Sequence, residues 1–338
     1  MIPATRPTLA NLAEKLGVTP ATVSVALRGK GRMREELRQK IIVTAMELGY
    51  RPNQAAKAML KGQSRQITLV QGRADDRSTL PQNVLAGCVD KLTELGYQLT
   101  VLRLSDQELS NERKFPRFVQ ESHCDGMILN YTHDIPEQLL RILNQFHLPH
   151  VFFNADLSED TVRPDDRKAG RDATQVLLSA GHKRITFIAR TGHHYSSVER
   201  AEGYHHAMME AGLAPWNLDT RFALHAKERL ILAKTFLASP NRPTALVCYN
   251  SVDAQIFTTA AISAGLVVPR DLSVITFSDA PESSTGFIMS AMLRDTSKLG
   301  RSVAEMCVER VNGAGHLPTR VVPFVFQAGE SIAPPPHG

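Results

Sequence analysis

Two groups of residues in this 338-residue chain are of types that bind rather than react. The first is cationic and N-terminal. Residues 1–65 hold twelve Lys and Arg (Arg6, Lys15, Arg28, Lys30, Arg32, Arg34, Arg38, Lys40, Arg51, Lys57, Lys61 and Arg65) against Glu14, Glu35, Glu36 and Glu47. That is a local charge of +8 in a chain of +5, which leaves about −3 for the remainder. Cations gathered at one end of a mildly acidic chain neutralise a phosphate backbone. The second group is dispersed. Arg73, Asn130, Asp165, Arg190, Arg200, Asn250 and Ser278 stand at or near the ends of short apolar runs. Ligands bind beyond the carboxyl ends of parallel strands, and carboxylate, amide and guanidinium groups placed there can grip hydroxyl pairs bidentately. Asp165 also suits a helix cap.

Signatures of covalent or nucleotide chemistry do not occur. The chain has no G-x-G-x-x-G after a strand, no G-x-x-x-x-G-K-[ST] and no G-x-S-x-G. His193-His194 has no nearby Cys and no second acidic pair, so these read as loop residues rather than metal ligands. Cys88, Cys124, Cys248 and Cys307 lie far apart with no C-x-x-C pair, as reduced buried thiols do. No cofactor, metal or catalytic residue is expected.

The cationic group needs a helical frame, and the spacing supplies one. Leu9, Leu12, Ala13 and Leu16 form one apolar stripe behind Thr8, a suitable N-cap, and Gly17 ends the helix. Val18 can plug the corner. Thr19-Pro20 then starts a second helix, with Val23, Ala26 and Leu27 facing inward. Two short helices joined by a glycine turn form a helix-turn-helix unit. A third helix spans about Arg34–Leu48, and Asn53 can cap a short one that ends at Gly62.

The dispersed group needs strands that end where it stands. Beyond Arg65, apolar runs predict strands over Ile67–Val70, Gln98–Leu102, Gly126–Leu129, His150–Phe153, Arg184–Ala189, Ala245–Cys248 and Ser273–Phe277. Amphipathic helices lie between them, several closed by glycine at Gly96, Gly181, Gly212 and Gly265. Such alternation means parallel sheets with helices on both faces, and the length suits two sheets with a cleft between them. With 43% hydrophobic residues, no apolar run of membrane length and no signal peptide, the chain reads as cytoplasmic and free of membrane contact.

The pattern TLANLAEKLGVTPATVSVAL…GYRPNQAAKAML resembles, without gaps over about sixty residues, the N-terminal region of the lactose/galactose repressor (LacI/GalR) family of bacterial transcription regulators. The stretch DDRKAGRDATQVLLSAGHKRITFIA resembles the family's Asp-Asn-x-x-x-Gly…Gly-His-x-x-Ile signature. SVERAEGYHHAM and ALVCYN…AISAGLVVPRDLSVITFSD resemble two further family segments. The resemblance implies an α/β fold: an all-α helix-turn-helix domain plus a two-lobed, doubly wound effector domain like a periplasmic binding protein. It places the DNA-binding domain at 1–52, the hinge helix and linker at 53–65, and the effector and dimerisation domain at 66–338. One lobe would comprise about 66–163 plus 292–322, the other 164–291 plus 323–338.

The implied function is a homodimeric repressor on a pseudo-palindromic double-stranded operator, switched by a sugar or sugar derivative in the cleft. In the family, Pro20, Ala21 and Val25 would meet base edges. Val25 replaces a usual polar reader, so thymine methyl contacts are expected there, with polar readout shifted to Thr19, Ser24, Arg28 or Arg32. Thr22, Ser24, Tyr50 and Asn53 would anchor phosphates, and Leu37 replaces a phosphate-binding Thr. The hinge helix Gln54–Lys61, with Ala56 and Lys57 toward DNA, is too short to stand alone in water. Met59, beside Leu60, holds the position of a minor-groove wedge.

Asp165, Arg200 and Asn250 would hydrogen-bond the effector. Ser251 and Ser278 replace usual acids, which predicts a less negative pocket open to an acidic or phosphorylated ligand, helped by Arg73, Arg190, Arg200 or His193. No heptad tail is present, so no tail-mediated tetramer is expected. The competing functions are a small-molecule binding protein without operator binding, which would lack the basic head, and a sugar-processing enzyme, which would show turnover.

Overall fold

A computed structural model describes residues 7–27, 29, 31–51, 63–72, 80–111, 113, 115, 124–131, 135–189, 194–220, 225–281 and 286–336. The chain divides into two compact units, Met1–Ser64 and Arg65–Gly338.

The first unit contains α1 (Leu9–Leu16), α2 (Pro20–Leu27) and α3 (Glu35–Glu47). Thr8 closes a capping box: the Asn11 N–H donates to Thr8 Oγ1 at 3.3 Å, and the Thr8 N–H donates to Asn11 Oδ1 at 2.9 Å. Gly17 takes the left-handed conformation at φ 67° and ends α1. Leu12, Ala13, Val23, Ala26, Ile41 and Ala45 make the buried core, with Val18 and Leu27 packed against it as expected.

The second unit holds two six-stranded sheets. The first sheet uses β1 (Gln66–Gly72), β2 (Gln98–Leu104), β3 (Gly126–Asn130), β4 (His150–Phe153), β5 (Thr161–Pro164) and β11 (Arg320–Val322). The second uses β6 (Ile185–Ala189), β7 (Trp216–Asp219), β8 (Ala245–Cys248), β9 (Ser273–Ser278), β10 (Ser290–Arg294) and β12 (Phe324–Gln327). Their orders, β11-β5-β4-β3-β1-β2 and β12-β10-β9-β8-β6-β7, are the same topology used twice. Among the described residues every pairing of named strands is parallel except β10 with β12. Strands β3, β4, β6 and β8 are buried throughout, because helices cover both faces.

The chain passes between the sheets after β5, after β10 and after β11. The expected lobe change between residues 291 and 292 falls inside β10, which corrects that boundary. Met292 pairs with Phe277 and Phe326, and Leu293 with Ser278 and Val325, so sheet pairing holds the strand in place to Arg294.

The longer helices are α4 (Gln82–Glu94), α5 (Glu137–Gln145), α6 (Asp166–Ser179), α7 (Tyr195–Glu210), α8 (Ala226–Leu237), α9 (Ser251–Ser263) and α10 (Thr296–Val311). Two begin alike. Asp165-Asp-Arg-Lys-Ala-Gly170 opens α6 and Asp295-Thr-Ser-Lys-Leu-Gly300 opens α10. In each, the aspartate side chain accepts from the lysine N–H, at 3.2 Å for Lys168 and 2.9 Å for Lys298. Each helix then meets a partner at paired glycines. A Cβ on Gly170 would overlap the Arg200 carbonyl, and one on Gly203 the Arg167 carbonyl, where α6 crosses α7. A Cβ on Gly87 would overlap the Ser297 carbonyl, and one on Gly300 the Val84 carbonyl, where α4 crosses α10. Among the described residues no helix is long and apolar enough to cross a membrane.

Candidate DNA-reading face and effector cleft

The second helix of the first unit is positioned by its cap. The Thr22 N–H donates to Thr19 Oγ1 at 3.1 Å, and the two hydroxyls share a hydrogen bond at 2.9 Å. Val23 and Ala26 turn inward. Thr19, Pro20 and Ala21 are left exposed, with Thr22, Ser24 and Val25 half-buried. Small, mostly apolar side chains on a first helical turn can approach a base-pair edge closely. Val25 also presses on the following turn: a Cβ on Gly31, which has φ 85°, would touch Val25 Cγ1. That turn is tied down by Arg38, whose Nη2 donates to the Gly31 carbonyl at 3.0 Å. Arg32 is exposed. Tyr50 packs against the core, and burial pushes its phenol pKa up. Leu37 joins the same core surface, so its side chain is used in packing. Arg28, Asn53, Ala56, Lys57, Met59 and Leu60 lie outside the described residues.

In the second unit three candidates, Asp165, Asn250 and Ser278, adjoin residues that hold or line a fourth, Arg200. Its Nε donates to Asp166 Oδ1 at 2.7 Å, and its Nη1 donates to the Tyr249 carbonyl at 2.7 Å. The guanidinium carbon lies 4.4 Å from the Phe277 ring centroid, 4.8 Å from Tyr249 and 5.5 Å from Phe324. The Arg200 side chain is 7% exposed and that of Asp166 0%. Burial alone would lower the Arg200 pKa; the Asp166 charge and hydrogen bond, together with Tyr249 and Tyr195, more than offset this and raise it. Burial pushes the Asp166 carboxyl above its ordinary range, while Arg200 pulls it the other way. Arg200 is thus a rigid donor whose charge is cancelled by its neighbour.

Two of the other candidates, Asp165 and Asn250, are helix caps next in sequence to residues that bind Arg200. Asp165 caps α6, as its position before a helix allowed. Asn250 follows Tyr249 and caps α9, its Oδ1 accepting from the Asp253 N–H at 2.8 Å. Asp253 is itself fully buried and paired with Arg229 at 2.7 Å. Ser278 follows Phe277, and its Oγ donates to the Ala280 carbonyl at 2.8 Å. The next residue, Asp279, accepts from Arg294 Nε at 2.6 Å. Asn130 ends β3 in the first sheet, 4% exposed, and pairs with Phe153. Arg73, Arg190 and His193 lie outside the described residues.

A polar bridge spans the two sheets at the same end. Asn154, just after β4, shares a hydrogen bond with His194 Nε2 at 3.1 Å and accepts from the Tyr195 hydroxyl at 3.2 Å. His194 Nδ1 meets Ser196 Oγ at 2.6 Å, which meets the Tyr249 hydroxyl at 2.9 Å. Arg163 Nη1, in β5, donates to Glu199 Oε2 at 2.8 Å, with its guanidinium 5.3 Å over the Tyr195 ring. Sequence reasoning missed Asn154, Arg163, Asp166, Tyr195, Ser196, Glu199 and Tyr249. Most of their partners lie 34 to 53 residues away, which leaves no local spacing to read. Among the described residues no cluster of metal-ligating side chains occurs.

Comparison with known proteins gives this geometry a relationship. Residues 8–53 match the model for bacterial regulatory proteins of the lacI family, and residues 174–332 match the periplasmic binding protein-like domain. The HTH-type transcriptional regulator DegA of Bacillus subtilis is 30% identical over 319 residues, covering 91% of this chain and 90% of that protein. The HTH-type transcriptional repressor PurR of Photobacterium profundum is 26% identical, covering 91% and 93%. The fold matches the lac repressor dimer bound to operator and the anti-inducer ONPF, with TM-score 0.81, 19% identity, and coverage of 97% and 100%. It also matches the CelR–cellobiose complex, with TM-score 0.66, 23% identity, and coverage of 96% and 100%. These relatives are named regulators and repressors of transcription, which sets aside the enzyme alternative. The chain belongs to the lacI family of bacterial regulatory proteins and is a DNA-binding regulator of transcription with a periplasmic-binding-protein-like domain.

Proposed function

We propose that this protein is a homodimeric repressor that binds a pseudo-palindromic operator and is switched by a neutral sugar or sugar derivative in the cleft. The observation that carries this reading is the convergence on Arg200. Asp165 precedes Asp166, Asn250 follows Tyr249 and Ser278 follows Phe277, three residues that hold or line the Arg200 guanidinium. Such a set supplies donors and acceptors to several hydroxyls at once. Asp166 cancels the charge of Arg200 and Asp279 that of Arg294, which favours an uncharged ligand over the acidic one expected from Ser251 and Ser278.

Operator contact would come from Thr19, Pro20, Ala21, Ser24, Val25 and Arg32, with Thr22 and Tyr50 on phosphates. An effector acts only through a difference in affinity between two states, and the bridge from Asn154 to His194 and Tyr195 is present in one of them. The solved structures of an operator-bound repressor dimer and of a regulator with cellobiose support a ligand-switched dimer of this fold. The test is selection of duplexes from a random library by the full chain, followed by binding in the presence of neutral sugars, sugar acids and sugar phosphates. Enrichment of an inverted repeat, with release or tightening by a neutral sugar, is expected. Failure to enrich any duplex, or a response confined to phosphorylated sugars, overturns the corresponding half.

A further inference from the structure

Strands β2, β1 and β3 lie side by side and start at one end of the first sheet. The residue that leads into β1 is held by the residues that lead into the other two. Arg65 has φ 57°, a left-handed backbone in a residue with a Cβ. Such a conformation persists only where the surroundings over-determine it. Here they do. The Arg65 N–H donates to the Asp125 carboxylate at 2.8 Å, one residue before β3. Its carbonyl accepts from the Gln98 N–H at 2.9 Å, the first residue of β2. Its guanidinium lies 4.9 Å from the ring centroid of Tyr97, which is buried. Asp125 is fixed in turn, its N–H donating to the Gln66 carbonyl at 2.8 Å.

Two connections give this clasp a purpose. Arg65 is the first residue of the second unit, directly after the unit that ends at Ser64. Gly126, beside Asp125, is packed by Val311 and Cys307 of α10, so closely that a Cβ there would displace them. Helix α10 is capped by Asp295, where the chain changes sheets. Packed contacts therefore run without a break from a lobe crossing to the residue that receives the DNA-binding unit, the kind of path that can carry coupling.

We propose that the Arg65–Asp125–Tyr97 clasp is the positioning element that couples the effector body to the DNA-binding unit, by fixing the direction in which the chain enters β1. This rests on the reading that residues 1–64 bind an operator.

The test uses the full chain and two separate readouts. The first is trypsin cleavage after Arg65, followed by mass. The wild-type bond to Gln66 is expected to resist, and D125A to be cut at least several-fold faster at that bond. The second is affinity for a duplex that the wild-type protein enriches from a random library. R65V, whose β-branched side chain opposes a left-handed backbone, is expected to lose about tenfold in affinity. R65G, which loses the contact with Tyr97 but adopts that backbone without strain and keeps both backbone hydrogen bonds, is expected to stay within about threefold of wild type. Equal affinity of R65V and wild type, or unchanged protection in D125A, overturns the proposal. If the wild-type protein enriches no duplex, the DNA-binding function falls and the coupling with it; the cleavage result then still reports whether the clasp exists.

Discussion

Replacing Asp166 by Asn, the residue type the family motif carries at that position, should turn a neutral cleft into an anion site. The carboxylate and guanidinium are 2.7 Å apart and both side chains are at most 7% exposed. At an effective dielectric constant near 20, charges this close attract by roughly 6 kcal/mol. Desolvation offsets part of that, and breaking a buried pair by removing one partner costs about 3–5 kcal/mol. Asn keeps an oxygen to accept from Arg200 Nε, so the lower end, about 3 kcal/mol, is expected for D166N. A body of this size loses roughly 2–4 °C in unfolding midpoint per kcal/mol, which gives a fall of roughly 6–12 °C.

Inorganic phosphate should recover part of it, because an anion at about one hundred times its Kd stabilises by about 2.7 kcal/mol. The assay is thermal unfolding of wild type, D166N and D166N/R200M in phosphate and in chloride matched for ionic strength. Wild type should gain from phosphate over chloride only the general stabilisation that this salt gives folded proteins. D166N should melt lower and rise in phosphate by more than that. The double variant should melt above D166N and lose the extra phosphate response, since no charge is left buried without a partner. If D166N melts like wild type, or phosphate raises wild type as much as D166N, the argument that Asp166 cancels Arg200 is refuted.

Three further outcomes follow from the structure. Ile41 is fully buried in the small first unit, so I41A should cost about 2–4 kcal/mol; DNA binding should disappear while the effector body keeps its own unfolding transition by circular dichroism. G203A places a methyl group against the Arg167 carbonyl; it should cost about 1–3 kcal/mol and weaken effector binding by calorimetry, because α7 carries Arg200. His182 is buried between Thr244, Ser273 and the Ala333 carbonyl, and burial lowers its pKa below the ordinary 6.5. A depressed histidine stabilises above its unfolded pKa and loses that contribution as pH falls through the folded one. Protection factors for exchange at Val274 and Ala333, whose amides pair with Ser331 and Ser273, should therefore fall below about pH 6.5 once the intrinsic pH dependence of exchange is divided out, and H182N should flatten the dependence.

The helix-turn-helix was legible because its signals are local: Thr8, Gly17 and Thr19 each act within four residues of themselves. The strands with continuous apolar runs were legible for the same reason. Strands β5, β7, β10, β11 and β12 and helix α10 were not, since Thr161–Pro164 or Trp216–Asp219 is short and mixed in character and gains its place from pairing across the sheet. The cleft was half legible. Asp165, Arg200, Asn250 and Ser278 are near strand ends and could be named. The ion pairs beside them could not, because Asp166 is thirty-four residues from its partner Arg200 and Arg294 fifteen from its partner Asp279. Val25 shows the opposite limit: its apolar character was evident, but its contact with Gly31 depends on a turn that only the fold defines.

The two matched helix starts at Asp165 and Asp295 have a mechanical consequence. Each helix is bolted by glycines to a partner in one lobe and fed by a strand of the other. Bending inside either helix would pull backbone from backbone, so compliance concentrates in the two short peptides before the caps. The chain crosses a third time through Pro323, between β11 and β12, so three short joints link the lobes and limit how far they can slide or splay. Motion of one lobe against the other is thereby restricted to what these short peptides allow, while the helices on either side move as rigid parts of their own lobes.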